Sequence, residues 1–136
     1  MYSAQFAKLW FKFSKDMKSH MEEALAPLTE SQLNVLEFLI ARGKEPLKPS
    51  DLLEFLETTP AAVTTLLDRM EKNGLIERER DEKDRRIVWI RVTEKGKAEC
   101  ERGIAVREAF FDSHLDRISR HNQQLLVYLL GKVANA

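Results

Sequence analysis

Cysteine is nearly absent from this chain. Cys100 is the single thiol among 136 residues, which excludes an internal disulfide framework and a thiolate metal cage. The three histidines, His20, His114 and His121, stand outside any metal-ligand spacing with acids, so neither a metal nor a cofactor is expected. Charge of one sign is also missing: 22 Lys+Arg balance 22 Asp+Glu. That rules out a uniformly basic nucleic-acid coat protein but leaves room for a local basic surface. No apolar run approaches the ~18 residues of a membrane span. The opening MYSAQFAKLWFKFSKDMKSH threads lysines through its apolar positions and does not read as a signal peptide, so the expectation is a soluble, cytoplasmic protein with no membrane partner. A Gly-rich phosphate loop, a nucleophile elbow and paired acids at functional spacing are all lacking, and an enzyme is not expected.

What is present is 43% apolar residues, enough to build a core, with five glycines and four prolines acting as punctuation. Phe6, Leu9, Phe13, Met17 and Met21 fall at steps of three and four, the stripe of an amphipathic first helix over 2–23. Thr29 and Gln32 form a capping-box signal ahead of Leu33, Leu36, Leu39 and Ile40, and Gly43 is a suitable stop. A short third helix opens near Pro49 or Ser50 around Leu52, Leu53 and Leu56. Thr59 is a good N-cap and Pro60 a good first residue for a fourth, which carries Val63, Leu66, Leu67 and Met70 and ends at Asn73-Gly74. The apolar period then drops to two. Residues 75–80 and 87–92 read as strands joined by the charged Asp81–Arg85, a protruding tip. Thr93 caps a long fifth helix, and a break near Ser119 to Asn122 precedes a last one around Leu125, Leu126, Leu129, Leu130 and Val133.

Two short helices with a tight turn, then a charged hairpin, is the order of a winged helix-turn-helix, whose second helix enters the DNA major groove. Helical geometry puts Val63 and Met70 on the core side of residues 60–73. Ala61, Thr65, Asp68 and Lys72 lie opposite, flanked by Ala62, Thr64 and Arg69. Small and hydroxylated residues at the start of that face let the helix approach base edges, and threonine can bond several bases. Arg69 and Lys72 suit phosphates, as does the helix start at Thr59-Pro60. In the hairpin, Arg86 is the expected minor-groove residue and Arg85 a phosphate contact. Lys83 lies beside them, and Asp84 sits two positions before Arg86, on the same side if the segment is extended, where it can orient the guanidinium. Residues 61–97 hold ten basic and eight acidic residues, a small positive bias.

With these residues in view the chain resembles the MarR family of bacterial transcription regulators. Asp84-Arg85-Arg86, then Val92-Thr93 and Gly96, is similar to that family's wing signature. Val63-Thr64, Leu66, Asp68-Arg69-Met70-Glu71-Lys72 and Gly74-Leu75-Ile76 resemble its recognition helix and exit, and Thr29–Leu33 the start of its second helix. The resemblance spans essentially the whole chain. It implies a homodimer on a pseudo-palindromic operator, expected to act as a repressor released by a small molecule or oxidant. The position after Thr64 is often basic in that family and is Thr65 here, so base preference does not carry over. Redox-sensing members hold their thiol in the first helix, whereas Cys100 lies on the fifth and reads as an inert, partly buried thiol with Arg102 as its nearest cation in sequence.

The expected fold is mainly α with a small β-hairpin wing: an N-terminal dimerisation helix (1–28), a winged helix-turn-helix DNA-binding region (29–97) and C-terminal dimerisation helices (98–136), all in one compact domain. Phe6, Trp10, Phe13, Phe110, Phe111, Leu125 and Leu129 put large apolar groups at both ends of a small domain, most simply paired with a second copy. The alternative is that these helices fold back on their own domain. A cleft lined by Trp10, Phe13, Met17 and Phe38 would suit a small aromatic effector. Double-stranded DNA, a second copy and such an effector are the expected partners. The competing function is a winged-helix protein–protein interaction module that binds no operator.

Overall fold

Thr29 shows how local chemistry sets the architecture. In the computed structural model, which describes residues 1–45 and 47–135, its hydroxyl accepts the Gln32 N–H while the Gln32 side chain accepts the Thr29 N–H, the full capping box. The chain runs α1 (Ser3–Leu25), α2 (Glu30–Arg42), α3 (Pro49–Leu56), α4 (Pro60–Lys72), β1 (Ile76–Arg80), β2 (Val88–Val92), α5 (Glu94–Leu115) and α6 (Arg120–Ala134). Thr59, Thr93 and Ser119 cap α4, α5 and α6 with their hydroxyls, and Gly43, at φ 68°, closes α2. Among the described residues no helix is long and apolar enough to cross a membrane.

β1 and β2 pair antiparallel, with Arg78 opposite Ile90 and Glu79 opposite Trp89. Each strand is one residue shorter than the alternation suggests. Leu75 is buried and spends its N–H on the Met70 carbonyl, closing α4, and Ile87 spends its own on Asp84 in the wing turn. Leu47 adds a short bridge to Val88 that the sequence reading did not anticipate. The helix break also falls earlier than expected, with α5 ending at Leu115 and Ser119 already capping α6.

The core lies where helices α1 to α5 meet the hairpin, around Met21, Leu25, Leu33, Leu36, Leu52, Met70 and Ile76, all essentially inaccessible. Two polar ties fix α5 to the body. Arg107 grips Glu37 of α2 through both guanidinium nitrogens at 2.7 and 3.0 Å, and Arg102 donates to the last carbonyls of α1, Ala24 and Leu25. Gly96 permits α5 to start against β2, because a Cβ there would lie 2.2 Å from the Leu75 carbonyl oxygen.

The terminal helices behave unequally. The second half of α1 is packed, burying Met21 and Leu25, while Phe6, Leu9, Trp10 and Phe11 in its first half are exposed. α6 buries none of its residues within the chain. Phe110 departs from the dimer-surface reading: it is buried inside the chain against Phe13, His20 and His114. Phe13 and Phe111 are half-buried in the same aromatic group, whereas Phe6, Trp10, Leu125 and Leu129 are exposed.

Candidate nucleic-acid interface

The outer face of α4 is built by its core face. Val63, Leu67 and Met70 anchor the helix, which leaves Ala61, Ala62, Thr64, Thr65, Asp68, Arg69 and Lys72 exposed. Thr59 satisfies the Ala62 N–H at 3.2 Å and Pro60 has none to satisfy, so the first turn projects cleanly from the body. The turn from α3 is tight because Glu57 adopts a left-handed conformation, φ 50°.

A groove of about 550 Å³ runs beside this face, lined by Thr65, Ala61, Ala62 and Arg69 of α4 together with Thr29, Ser31 and Thr58. Sequence reasoning used Thr29 only as a cap and passed over Ser31 and Thr58. Their common signal is a hydroxyl residue near a helix start, three times over. A second cavity, about 480 Å³, lies under the wing between Thr64, Glu71, Arg78 and Arg80 and an apolar wall that includes Leu53 and Ile90.

Asp68 is exposed as expected, but its carboxylate is engaged. Arg78 of β1 donates to Asp68 at 2.5 Å and to Glu71 at 3.1 Å, and the Arg78 backbone N–H also reaches Glu71. The Arg78 hydrogen bonds hold the Glu71 carboxyl below its ordinary range. Burial works against the charge on Arg78, and the two carboxylates more than restore it. This three-residue clamp joins the helix to the wing.

The wing's other charges divide by the same logic. Arg91 is paired with Glu77 across the strands, and Arg80 donates to the Arg85 carbonyl. The Lys83 and Arg85 side chains are exposed and, among the described residues, make no hydrogen bond or ion pair. Arg86 is 83% exposed and held in a fork by Asp84, whose oxygens accept from Nε at 3.0 Å and Nη2 at 2.9 Å. The pairing matches the sequence expectation, but its cause differs. The segment is a turn, in which Asp84 also accepts the Arg86 backbone N–H. These bonds from Arg86 lower the Asp84 carboxyl to about 2.

The four residues expected to line an effector cleft have different neighbours among the described residues. Phe38 stacks on Phe55 of α3 beneath Arg42, Phe13 joins the aromatic group around Phe110, Met17 packs on the core and Trp10 stacks on Phe6 at the surface. Neither cavity described above is lined by any of them. Cys100 is buried more deeply than expected. Burial raises its thiol pKa, the Glu37 carboxylate raises it further, and the opposing cation is Arg107, with Arg102 turned instead to α1 and Glu99.

A profile of the MarR family matches residues 28–88, from the link between α1 and α2 to the first residue of β2. The chain is 32% identical over 128 residues to the HTH-type transcriptional repressor MdtR of Bacillus subtilis, covering 94% of this chain and 80% of MdtR. A MarR family protein from Bacillus stearothermophilus superposes with a TM-score of 0.82 at 30% identity, over 97% of this chain and 92% of that one. A cysteine-to-serine mutant of Escherichia coli MarR, solved in complex with operator DNA, gives 0.73 at 25% identity over 95% and 93%. On the family profile, the relative 32% identical over 94% of this chain and the superposition over 97% of it, the chain belongs to the MarR family of transcription regulators.

Proposed function

We propose that this protein is a repressor that binds a pseudo-palindromic operator as a homodimer, without enzymatic chemistry, in the cytoplasm. Each copy lays the start of α4 in a major groove, with Thr64, Thr65 and Ala61 toward base edges and Arg69 and Lys72 along phosphates. Arg86 enters the adjacent minor groove and Lys83 and Arg85 hold the backbone. The carrying observation is the wing tip: a fully presented guanidinium fixed by Asp84, next to two cations that no protein acid neutralises among the described residues. The operator complex of the Escherichia coli relative and the repressor name of MdtR support the reading.

The exposed half of α1 and the uncovered α6 supply the dimer surface, and half-sites about one helical turn apart follow from twofold symmetry. A small aromatic effector would enter between the copies near Trp10 and favour a half-site spacing that fits the operator poorly. The test is a fluorescence-anisotropy titration at physiological salt of the duplex upstream of its own gene against random duplex. Tight, twofold-footprinted binding supports the proposal. Affinity equal to that for random duplex favours the protein-interaction module instead.

A further inference from the structure

Asp81 closes the wing loop through both of its carboxylate oxygens. One of its oxygens, Oδ2, accepts the backbone N–H groups of Lys83 at 3.0 Å and Asp84 at 2.8 Å, winding the tip into a turn. The other, Oδ1, accepts the indole N–H of Trp89 at 3.0 Å, from the strand across the hairpin. Trp89 stands opposite Glu79 in the ladder and is exposed, although burying so large a ring would be favourable elsewhere. The tip is thereby tied to a rigid strand, and the strand is tied to the body through the Leu47 bridge at Val88.

We propose that Trp89 and Asp81 are positioning residues for the wing: the indole holds the Asp81 carboxylate, the carboxylate winds the loop, and the loop aims Arg85 and Arg86 at DNA. The inference rests on the wing binding DNA as proposed above. Arg86 is fixed relative to Asp84, the Ile87 N–H on the Asp84 carbonyl and Arg80 on the Arg85 carbonyl hold the far side of the turn, and its near side is left to Asp81. Asp81 anchors that side, because Asp84 both donates its N–H to Asp81 and accepts from Arg86. The Asp81 carboxyl lies below its ordinary range, with the Trp89 indole as the largest cause, as a carboxylate receiving three N–H donors should.

The two oxygens separate the roles experimentally. Asp81→Asn keeps an oxygen to wind the loop but sets an amide N–H₂ against the indole N–H, donor facing donor. Trp89→Phe keeps the ring and removes the donor. Both should weaken operator binding about fivefold per half-site, the worth of one net hydrogen bond, and the double variant should be no weaker than either alone. Asp81→Ala, which also unwinds the loop, should weaken it about tenfold or more. In all of them the melting temperature should fall by no more than a few degrees and the α4 footprint should persist, while minor-groove protection beside it fades. A role for Trp89 in touching DNA itself would instead make the Asn and Phe effects multiply, and that result overturns the proposal. So does parent-like affinity and footprint in Trp89→Phe when the parent binds its operator. If the parent itself prefers no duplex, the DNA-binding reading fails first and takes this inference with it.

Discussion

Removing Arg86 separates aim from attraction at the wing. Its side chain is 83% exposed and, among the described residues, bonds only Asp84, so Arg86→Ala should leave the melting temperature unchanged. Loss of a groove contact weakens binding by about tenfold per half-site, so two copies on one operator lose about a hundredfold. If the guanidinium sits in a minor groove, discrimination against random duplex should fall with affinity. If it only met a phosphate, both duplexes would weaken alike and the slope of log K against log salt would flatten by about 0.9 per contact. Arg85→Ala should show that second pattern. Asp84→Asn sharpens the contrast, because it removes one negative charge per copy while loosening the fork. Random duplex should then bind more tightly and operator more weakly, a change that net charge alone cannot produce. Anisotropy titrations of both duplexes between about 50 and 200 mM salt measure all of this. Parent-like affinity in Arg86→Ala, or a rise in discrimination in Asp84→Asn, would refute the wing assignment.

Gly96→Ala forces a Cβ to within 2.2 Å of the Leu75 carbonyl and 2.8 Å of Val92, a clash with backbone that should cost about 3 kcal/mol and lower the melting point by about 10 °C. Gly103→Ala meets only the movable tips of Leu33 and Leu25 and should cost about half as much, so equal melting points in calorimetry would contradict the packing argument. The Glu37 carboxyl is lowered first by its hydrogen bonds from Arg107, so the pair stabilises above the unfolded carboxylate pKa of about 4.3 and is lost as pH falls through the lower folded value. Urea melts should therefore show Glu37→Gln weaker by about 1 kcal/mol at pH 7, a modest figure because both side chains are about a third exposed, with the gap closing in acid. A gap unchanged in strongly acidic buffer would refute the linkage. Leu129→Asp, on the uncovered α6, should yield monomers in analytical ultracentrifugation and reduce operator affinity well over tenfold, while a dimer at micromolar concentration would move the interface elsewhere.

The sequence disclosed what is settled within a turn of helix. Thr29 with Gln32, Thr59 with Pro60, and Thr93 each decide a helix start through partners no more than three residues away, and all three starts fall where the residues indicate. The Asp84–Arg86 pair is legible for the same reason, though a turn rather than an extended segment brings the two side chains together. Contacts across elements were not legible. Asp68 and Arg78 are ten positions apart on a helix and a strand, and nothing in their spacing distinguishes a clamp from two DNA-facing charges. Trp89 reached Asp81 only once the hairpin register was known. Phe110 and Leu125 carry the same apolar label, yet one fills the chain's own aromatic pocket and the other faces outward.

That last distinction bears on function. α6 has fifteen residues, a length at which an isolated helix is marginal in water, and no side chain of it is buried within the chain. Its stability must therefore come from a surface outside the chain, and the exposed first half of α1 presents a second apolar stripe with the same deficit. Two unpaired stripes on one chain are both relieved by a single twofold contact with a second copy, the dimer proposed above. Because α5 leads directly from the wing to α6 and is pinned to α2 by Arg107–Glu37, a dimer on the surface proposed above would also set how far apart the two α4 helices stand. Helix stability, dimer geometry and half-site spacing are then one coupled quantity. A ligand need only change the packing of the terminal helices to change which operator the pair can span.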